Sequence, residues 1–298
     1  MHLGLHLPHV DLDGSGLSLG RLTRAAAAAR AAGFGSVSAN DHLVFARPWL
    51  DGLVALTAVA EVSGDLELVT SVALPTIRHP AVLARTLAGL DVLSGGRVVA
   101  GLGAGSSPTD YAEVGIAFDE RWRRLDDAVV LLRHLLRGGP SPESGHYPGP
   151  AVPLDPRPAR DGGVPLWLGS WGSPAGLHRV SRLGDGWLAS AYNTDPQAFA
   201  AARERLPGGL PAAVVSMWTW VTEDAEEERR MVEEVLAPAL RRDPGELHGR
   251  VCVGPAQQCA ELLAAYAEAG AERVHVWPLT DEERQVELIA GLAPGTTP

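Results

Sequence analysis

The chain has 298 residues, 46% of them apolar, and a formal net charge of −11 with no cluster of lysine or arginine. That suits a protein with a sizeable core, and it excludes a nucleic-acid groove or an anionic membrane as the expected partner, because both call for a basic face. No apolar run approaches the roughly 20 residues of a spanning helix, and MHLGLHLP at the start has no basic segment ahead of an apolar one, so no secretory signal is expected. Cys252 and Cys259 fit no zinc or redox spacing and read as reduced thiols of a cytoplasmic protein.

In chain order, a short apolar run over 2–8 ends at Pro8. A helix over 18–32 shows Leu19, Leu22, Ala26 and Ala29 at spacings of three and four, and Gly33 stops it. A strand over 34–39 runs into Asn40-Asp41-His42. A helix over 51–62 follows, then a strand at 67–73, a helix at 80–93 entered through Arg78-His79-Pro80, and a strand at 97–102 that ends in Gly101-Leu-Gly-Ala-Gly-Ser106. A long amphipathic helix over 119–137 presents Trp122, Leu125, Val129, Leu132 and Leu136. Residues 138–164 are dense in Pro and Gly and read as an excursion. A strand at 165–169 meets Gly169-Ser-Trp-Gly-Ser173-Pro174, where Ser173 is a candidate helix cap with proline at the first helical position. Strands at 186–189, 212–221 and 272–277 alternate with helices at 174–183, 196–206, 224–240, 255–269 and 282–292, and 250–253 is a possible extended segment.

Eight strands, each followed by at least one helix, imply parallel strands with helical crossovers. The expected fold is α/β, a (β/α)8 barrel. It carries a Pro/Gly-rich insertion after the helix over 119–137 and extra helices before the last strand. An open doubly wound sheet is the competing architecture. In a barrel the site lies at the C-terminal strand ends. Polar residues there are sparse. Asp41 has no evident carboxylate partner for glycosidase-type chemistry, no metal-ligand spacing is present, and no lysine stands at a strand end. What remains is Asp41-His42, two Gly-rich loops and several tryptophans. That inventory suits a bound cofactor carrying the chemistry while the protein supplies shape and backbone contacts. Each feature also has a plainer role: a tight turn at 101–105, an ordinary capped helix start at 169–173 or a phosphate site there, a solvated pair at Asp41-His42, and core packing for the tryptophans.

The chain resembles the luciferase-like family of flavin- and deazaflavin-dependent oxidoreductases. The resemblance rests on AAGFGSVSANDHLV at 31–44, on the segment from LVTSVALPTIRHP through GLGAGSSPTDY to RRLDDAVVLLRHLL at 68–136, and on VGPAQQCAELLAAYAEAGAERVHVWP at 253–278. It implies one barrel domain over 1–298 holding coenzyme F420, or alternatively FMN, at the C-terminal mouth. It also implies a bulged third strand, with a non-prolyl cis peptide in several F420-using members; Ser71-Val72 is the matching position. Gly103, Ala104, Gly105 and Ser106 would line the ring or its ribityl chain, and Gly169, Ser170, Trp171 and Gly172 would approach the phosphate. His42 would be the acid/base, with Asp41 orienting it or touching the cofactor. One departure stands out. F420-dependent sugar dehydrogenases of the family carry a Glu just after the fourth-strand glycines, where this chain has Ser106-Ser107-Pro108. That disfavours sugar oxidation with such an acid.

The expected function is therefore F420-dependent hydride transfer to or from a small, largely apolar organic substrate. An FMN monooxygenase and a cofactor-binding barrel without catalysis are the alternatives. A phosphosugar lyase or isomerase is disfavoured by the missing lysine and carboxylate pair. The substrate wall would come from Leu5, Phe45, Trp49, Trp218 and the 138–164 excursion, and the resemblance suggests a homodimer through helices near the second and third strands.

Overall fold

The computed structural model describes residues 1–138, 145–149 and 153–293, and the middle of the expected excursion lies outside them. Nine parallel strands form one sheet: β1 His2–His6, β2 Ser36–Ala39, β3 Glu67–Ala73, β4 Val98–Leu102, β5 Leu166–Gly169, β6 Gly186–Ser190, β7 Ala212–Val221, β8 Cys252–Gly254 and β9 Arg273–Pro278. Neighbours pair in the order β6-β5-β4-β3-β2-β1-β9-β7-β8, and a further β6–β7 pairing closes β1 to β7 and β9 into an eight-stranded barrel. The open doubly wound sheet is thereby excluded.

The ninth strand is the one departure from the expected count. β8 pairs only with Thr219–Val221, beyond the closed ring. β7 makes this possible. It is ten residues long, and its register to β9 shifts between Val214 and Met217, where Ser216 has φ +58°. A non-glycine residue in the left-handed region bends the strand. Its first half serves β6 and its far end serves β8.

The helices are α1 Leu19–Ala31, α2 Gly52–Val59, α3 Pro80–Leu93, α4 Pro108–Glu113, α5 Arg121–Arg137, α6 Pro174–Leu183, α7 Pro196–Arg203, α8 Ala225–Arg230, α9 Ala237–Leu240, α10 Pro244–Leu247, α11 Ala256–Glu268 and α12 Glu282–Ala290. Several starts follow local chemistry. Ser173 accepts the Gly176 N–H ahead of Pro174, and His79 Nδ1 accepts the Ala81 N–H ahead of Pro80. The helix expected over 224–240 is not uniform, because Met231–Leu236 winds as a π turn between α8 and α9. Pro238 supplies a reason: it has no N–H and its ring crowds the carbonyl one turn back, and a wider turn accommodates both.

Alternation along the strands divides the core. Leu68, Val98, Leu166, Trp187 and Val214 face the helices, whereas Val69, Val99, Trp167, Leu188 and Val215 pack together inside the barrel. On the β9-β1-β2 side the alternate positions carry the buried His6, Ser36, Ser38 and His275. The interior is thus apolar on one side and polar on the other. A third cluster, with Trp218, Trp220 and Trp277, joins the ends of β7 and β9 to the chain from Met231 to Val253.

Candidate active site

The end of β2 is fixed by the bulge at the end of β3. The register of β3 on β4 shifts between Thr70 and Ala73, and the Ser71–Val72 peptide is cis. Across this irregularity the Asp41 N–H donates to the Val72 carbonyl at 3.0 Å. Val72 meets both Gly-rich strand ends: a Cβ on Gly103 would stand 2.7 Å from its Cγ2, and one on Gly169 would stand 3.2 Å from its Cγ1. Glycine at both positions lets the ends of β4 and β5 close over Val72.

The Asp41 carboxylate is buried. It accepts from Arg78 at 3.0 and 3.1 Å and from the Leu74 N–H at 3.3 Å. Burial raises its pKa above the ordinary carboxylate value, with the Arg78 charge working against that rise. Arg78 also pairs with Asp51, the cap of α2. Burial opposes ionisation of Asp51 too, but the bonds from Arg78 and the first N–H groups of α2 carry its pKa below normal.

The expectation that Asp41 orients His42 is corrected here. Arg78 and the β3 backbone take Asp41, and the carboxylate at His42 belongs to Asp110. Asp110 Oδ2 lies 3.0 Å from His42 Nδ1, and Oδ1 accepts the Val44 N–H at 2.9 Å. Asp110 is buried in the first turn of α4, a helix the apolar periodicity does not reveal. A signal was present: Ser107-Pro108-Thr109-Asp110 has a capping serine, proline at the first position and an acid in the first turn, immediately after a strand end. Since a carboxylate oxygen can only accept here, Nδ1 of His42 carries the proton, and Nε2 is left to accept or return one.

A cavity of about 740 Å³ opens at these strand ends. Its lining brings together Asp41, His42, Ser71, Val72, Gly103, Ala104, Gly105, Ser106, Gly169, Ser170 and Trp171, all expected from the sequence. Asn40, Leu74, Leu188, Ser190, Tyr192, Val215 and Ser216 join them from the strand ends, and Phe118, Arg121, Trp122, Ser173, Ala175, Gly176 and Arg179 from the α5 and α6 side. Gly172 is absent from the lining, and its N–H donates to Ser170 Oγ at 3.2 Å. Phe45, Trp49 and Trp218 also stand outside it. The Phe45 and Trp49 rings pack on His42 at 5.2 and 4.7 Å, while Trp218 stacks on Trp277 at 3.8 Å. Leu5 is buried in the main core. A second cavity of about 500 Å³, at the C-terminal end of α5, contains none of the strand-end residues.

The lining tests whether a flavin-like group fits. Ser71 Oγ is buried without a hydrogen-bond partner among the described residues, as a polar atom awaiting a ligand or solvent would be. The Gly103–Ser106 loop is braced from outside, since Tyr111 Oη bonds the Ala104 carbonyl and Thr76 Oγ1. Residues and group fit: at the strand ends the walls are backbone-lined, with an unpaired Ser71 hydroxyl and an imidazole facing the same cavity. Among the described residues no three His, Cys, Asp or Glu side chains come together to hold a metal, and no helix is long and apolar enough to cross a membrane.

A closed parallel barrel with a backbone-lined cleft and one braced histidine at its C-terminal mouth has its candidate site where (β/α)8 barrels carry theirs. Residues 1–236 match the luciferase-like monooxygenase family, and the chain belongs to that family. It is similar to F420-dependent glucose-6-phosphate dehydrogenase of Mycobacterium avium (strain 104), with 34% identity over 185 residues, 57% of this chain and 53% of that protein. It is also similar to F420-dependent hydroxymycolic acid dehydrogenase of Mycobacterium tuberculosis (strain ATCC 25618 / H37Rv), with 34% identity over 193 residues, 61% of this chain and 52% of that protein. The chain thus spans about half the length of the curated relatives it matches. Monooxygenase RslO1 from Streptomyces bottropensis superimposes with a TM-score of 0.83 over 98% of both chains at 20% identity, a likeness of fold.

Proposed function

We propose that this chain is an oxidoreductase that uses coenzyme F420 for hydride transfer to or from a small, largely apolar organic substrate. The observation that carries this reading is His42, held through Nδ1 by Asp110, in the same cavity as the Ser71–Val72 bulge and the Gly103–Ser106 loop. The F420-dependent relatives support the choice of cofactor. Ser71, Val72, Gly103, Ala104, Gly105 and Ser106 would hold the ring and its chain, and Gly169, Ser170, Trp171 and Gly172 the phosphate end. The bound cofactor supplies the hydride acceptor or donor.

The protein's part is the proton. In the direction of alcohol oxidation, the carbinol carbon gives up a hydride while its hydroxyl proton passes to His42 Nε2, and a carbonyl product is left. In the reverse direction the imidazolium returns that proton. Asp41 would touch the ligand from its Arg78-bound position. Phe45 and Trp49 pack on the His42 ring from outside the cavity, and Leu74, Leu188 and Val215 of its lining are proposed to give the substrate side its apolar character. At the place where the resemblance calls for a further carboxylic acid, the cavity has Ser106, so His42 is the one proton carrier assigned. The assembly is proposed to be a homodimer.

Titrating the pure protein with F420 and with FMN, following fluorescence, tests the reading. F420 binding with turnover of a secondary alcohol or its ketone supports it. Tight FMN binding with oxygen-dependent turnover replaces it by a monooxygenase, and binding without turnover of any donor replaces it by a non-catalytic barrel.

A further inference from the structure

The wall of the cavity between α5 and α6 has a different character from the strand ends. Arg121, Trp122 and Arg179 form it, and the guanidinium groups of both arginines lie over the Trp122 ring, at 5.2 and 4.9 Å. Arg121 stacks on Phe118 at 3.9 Å and donates to the Phe118 carbonyl at 2.8 Å. It forms no ion pair among the described residues, and the neighbouring Glu120 is engaged by Arg124. Arg179 shares its partner, Asp126, with Arg182. Of the two guanidinium groups in the cavity lining, Arg179 therefore has a carboxylate it shares with Arg182, and Arg121 has none among the described residues, with most of its donors uncommitted.

Two arginines on one wall of the cleft, with a single carboxylate, shared with Arg182, between them, are a local exception in a chain with net charge −11. The overall field repels a polyanion, so a ligand with anionic groups needs such a counter-charge at the point of contact. The position narrows the ligand further. In a (β/α)8 barrel the helices form the outer ring, so this wall lies outboard of the strand ends that hold His42 and Ser71. It also reaches solvent, with Trp122 41% and Trp171 58% exposed. A ligand with its reactive ring at the strand ends would present its far, solvent-directed end here.

We propose that Arg121, assisted by Arg179, is a binding site for the carboxylate-bearing glutamyl tail of a deazaflavin cofactor; this rests on the F420 reading given above. Arg121 is free to form paired N–H bonds to a carboxylate, and Trp122 keeps both guanidinium groups in the cleft by stacking. The site selects for tail-bearing cofactor over FMN, which ends at its phosphate.

The test compares dissociation constants, by fluorescence quenching, for F420 with several glutamates and for its tail-less form, which ends at the phospholactate. Wild-type protein is expected to bind the tail-bearing form about fivefold more tightly, with the advantage shrinking as salt is raised. Arg121→Gln is expected to abolish the difference while leaving the affinity for the tail-less form unchanged, which also serves as its folding control. Arg182→Gln, outside the cavity lining, is expected to keep the difference. Equal binding of the two forms by wild type overturns the proposal without any variant. So does an Arg121→Gln protein that loses both forms equally. If wild type binds neither form, the F420 reading itself fails, and this one with it.

Discussion

Asp110 grips His42 and the chain beside it with one carboxylate. One oxygen lies 3.0 Å from His42 Nδ1 and the other accepts the Val44 N–H at 2.9 Å. The imidazole therefore has both its tautomer and its loop fixed by a residue 68 positions away on a different strand–helix unit. Such an arrangement orients a base without competing for its reactive nitrogen.

Asp110→Asn keeps the size of the side chain but puts an amide where the carboxylate accepted two N–H groups. The expected result is a fall in kcat of about 10- to 100-fold with little change in KM, and His42→Ala should cost more, about 10²- to 10⁴-fold. Nitrogen-15 NMR of the ring separates positioning from a merely structural role. Wild type should show His42 protonated on Nδ1 when neutral, and Asp110→Asn should show a mixed tautomer. A wild-type ring protonated on Nε2 would refute the assignment.

Arg78 joins two carboxylates at the foot of the same site, and Asp41 is the more deeply buried. Arg78→Gln leaves Asp41 without its main counter-charge, so its pKa, already raised by burial, climbs further. The sign follows. A carboxyl group whose folded pKa lies above its unfolded one binds more protons in the folded state, so the fold loses stability as pH rises through that interval. Asp51 loses the same partner and shifts in the same direction. The variant should be about 3 kcal/mol less stable than wild type at pH 7, and the deficit should shrink as pH falls toward 5. Urea unfolding at both pH values would show it, and an equal deficit at both would contradict it.

The barrel was legible because its signal is repeated: eight apolar strand segments, each followed by an amphipathic helix, leave few ways to connect them. β8 was legible only as the extended segment at 250–253, outside the strand count, because a three-residue strand outside the closed ring has neither the length nor the alternation of the others. The strand-end residues were legible for the same reason as the strands. Asp110 was not, since a six-residue helix has too few apolar positions for a period. Nor does the adjacency of Asp41 and His42 in sequence reveal that one turns to Arg78 and the other to Asp110. The aromatic side chains at 45, 49 and 218 were expected in the substrate wall. The structure instead packs them on His42 and Trp277, a choice made by neighbours distant in sequence.

Acid should find the polar side of the barrel interior. His275 is fully buried, and desolvation together with the nearby Arg273 lowers its pKa to about 3. His6 and His9 are lowered as well, chiefly by burial. A histidine whose folded pKa is depressed stays neutral in the fold while the unfolded chain takes up a proton below about pH 6.5. Stability is therefore lost as pH falls, by about 1.4 kcal/mol per pH unit for each such residue. His275→Asn removes one of them. Between pH 6 and 4 its unfolding free energy should fall less steeply than that of wild type by about that amount per unit. Parallel slopes in urea titrations would show that His275 does not remain neutral in the fold.

Two glycines near the β4 end should respond differently to the same added methyl group. At Gly101 a Cβ would run into the Thr70 carbonyl oxygen, which belongs to the backbone of the adjacent strand and cannot rotate away. Gly101→Ala is expected to cost about 3 kcal/mol or more, as overpacking against fixed atoms does. At Gly103 the obstacle is Val72 Cγ2 at 2.7 Å, a side chain that can turn. Relief there costs less stability, but it moves a residue that lines the cavity beside Ser71. Gly103→Ala should accordingly keep a melting temperature within a few degrees of wild type while weakening cofactor binding by about tenfold or more. Thermal melts and cofactor titrations of the two variants decide the matter: a Gly103→Ala protein with normal cofactor affinity would mean that the ligand does not rest against Val72.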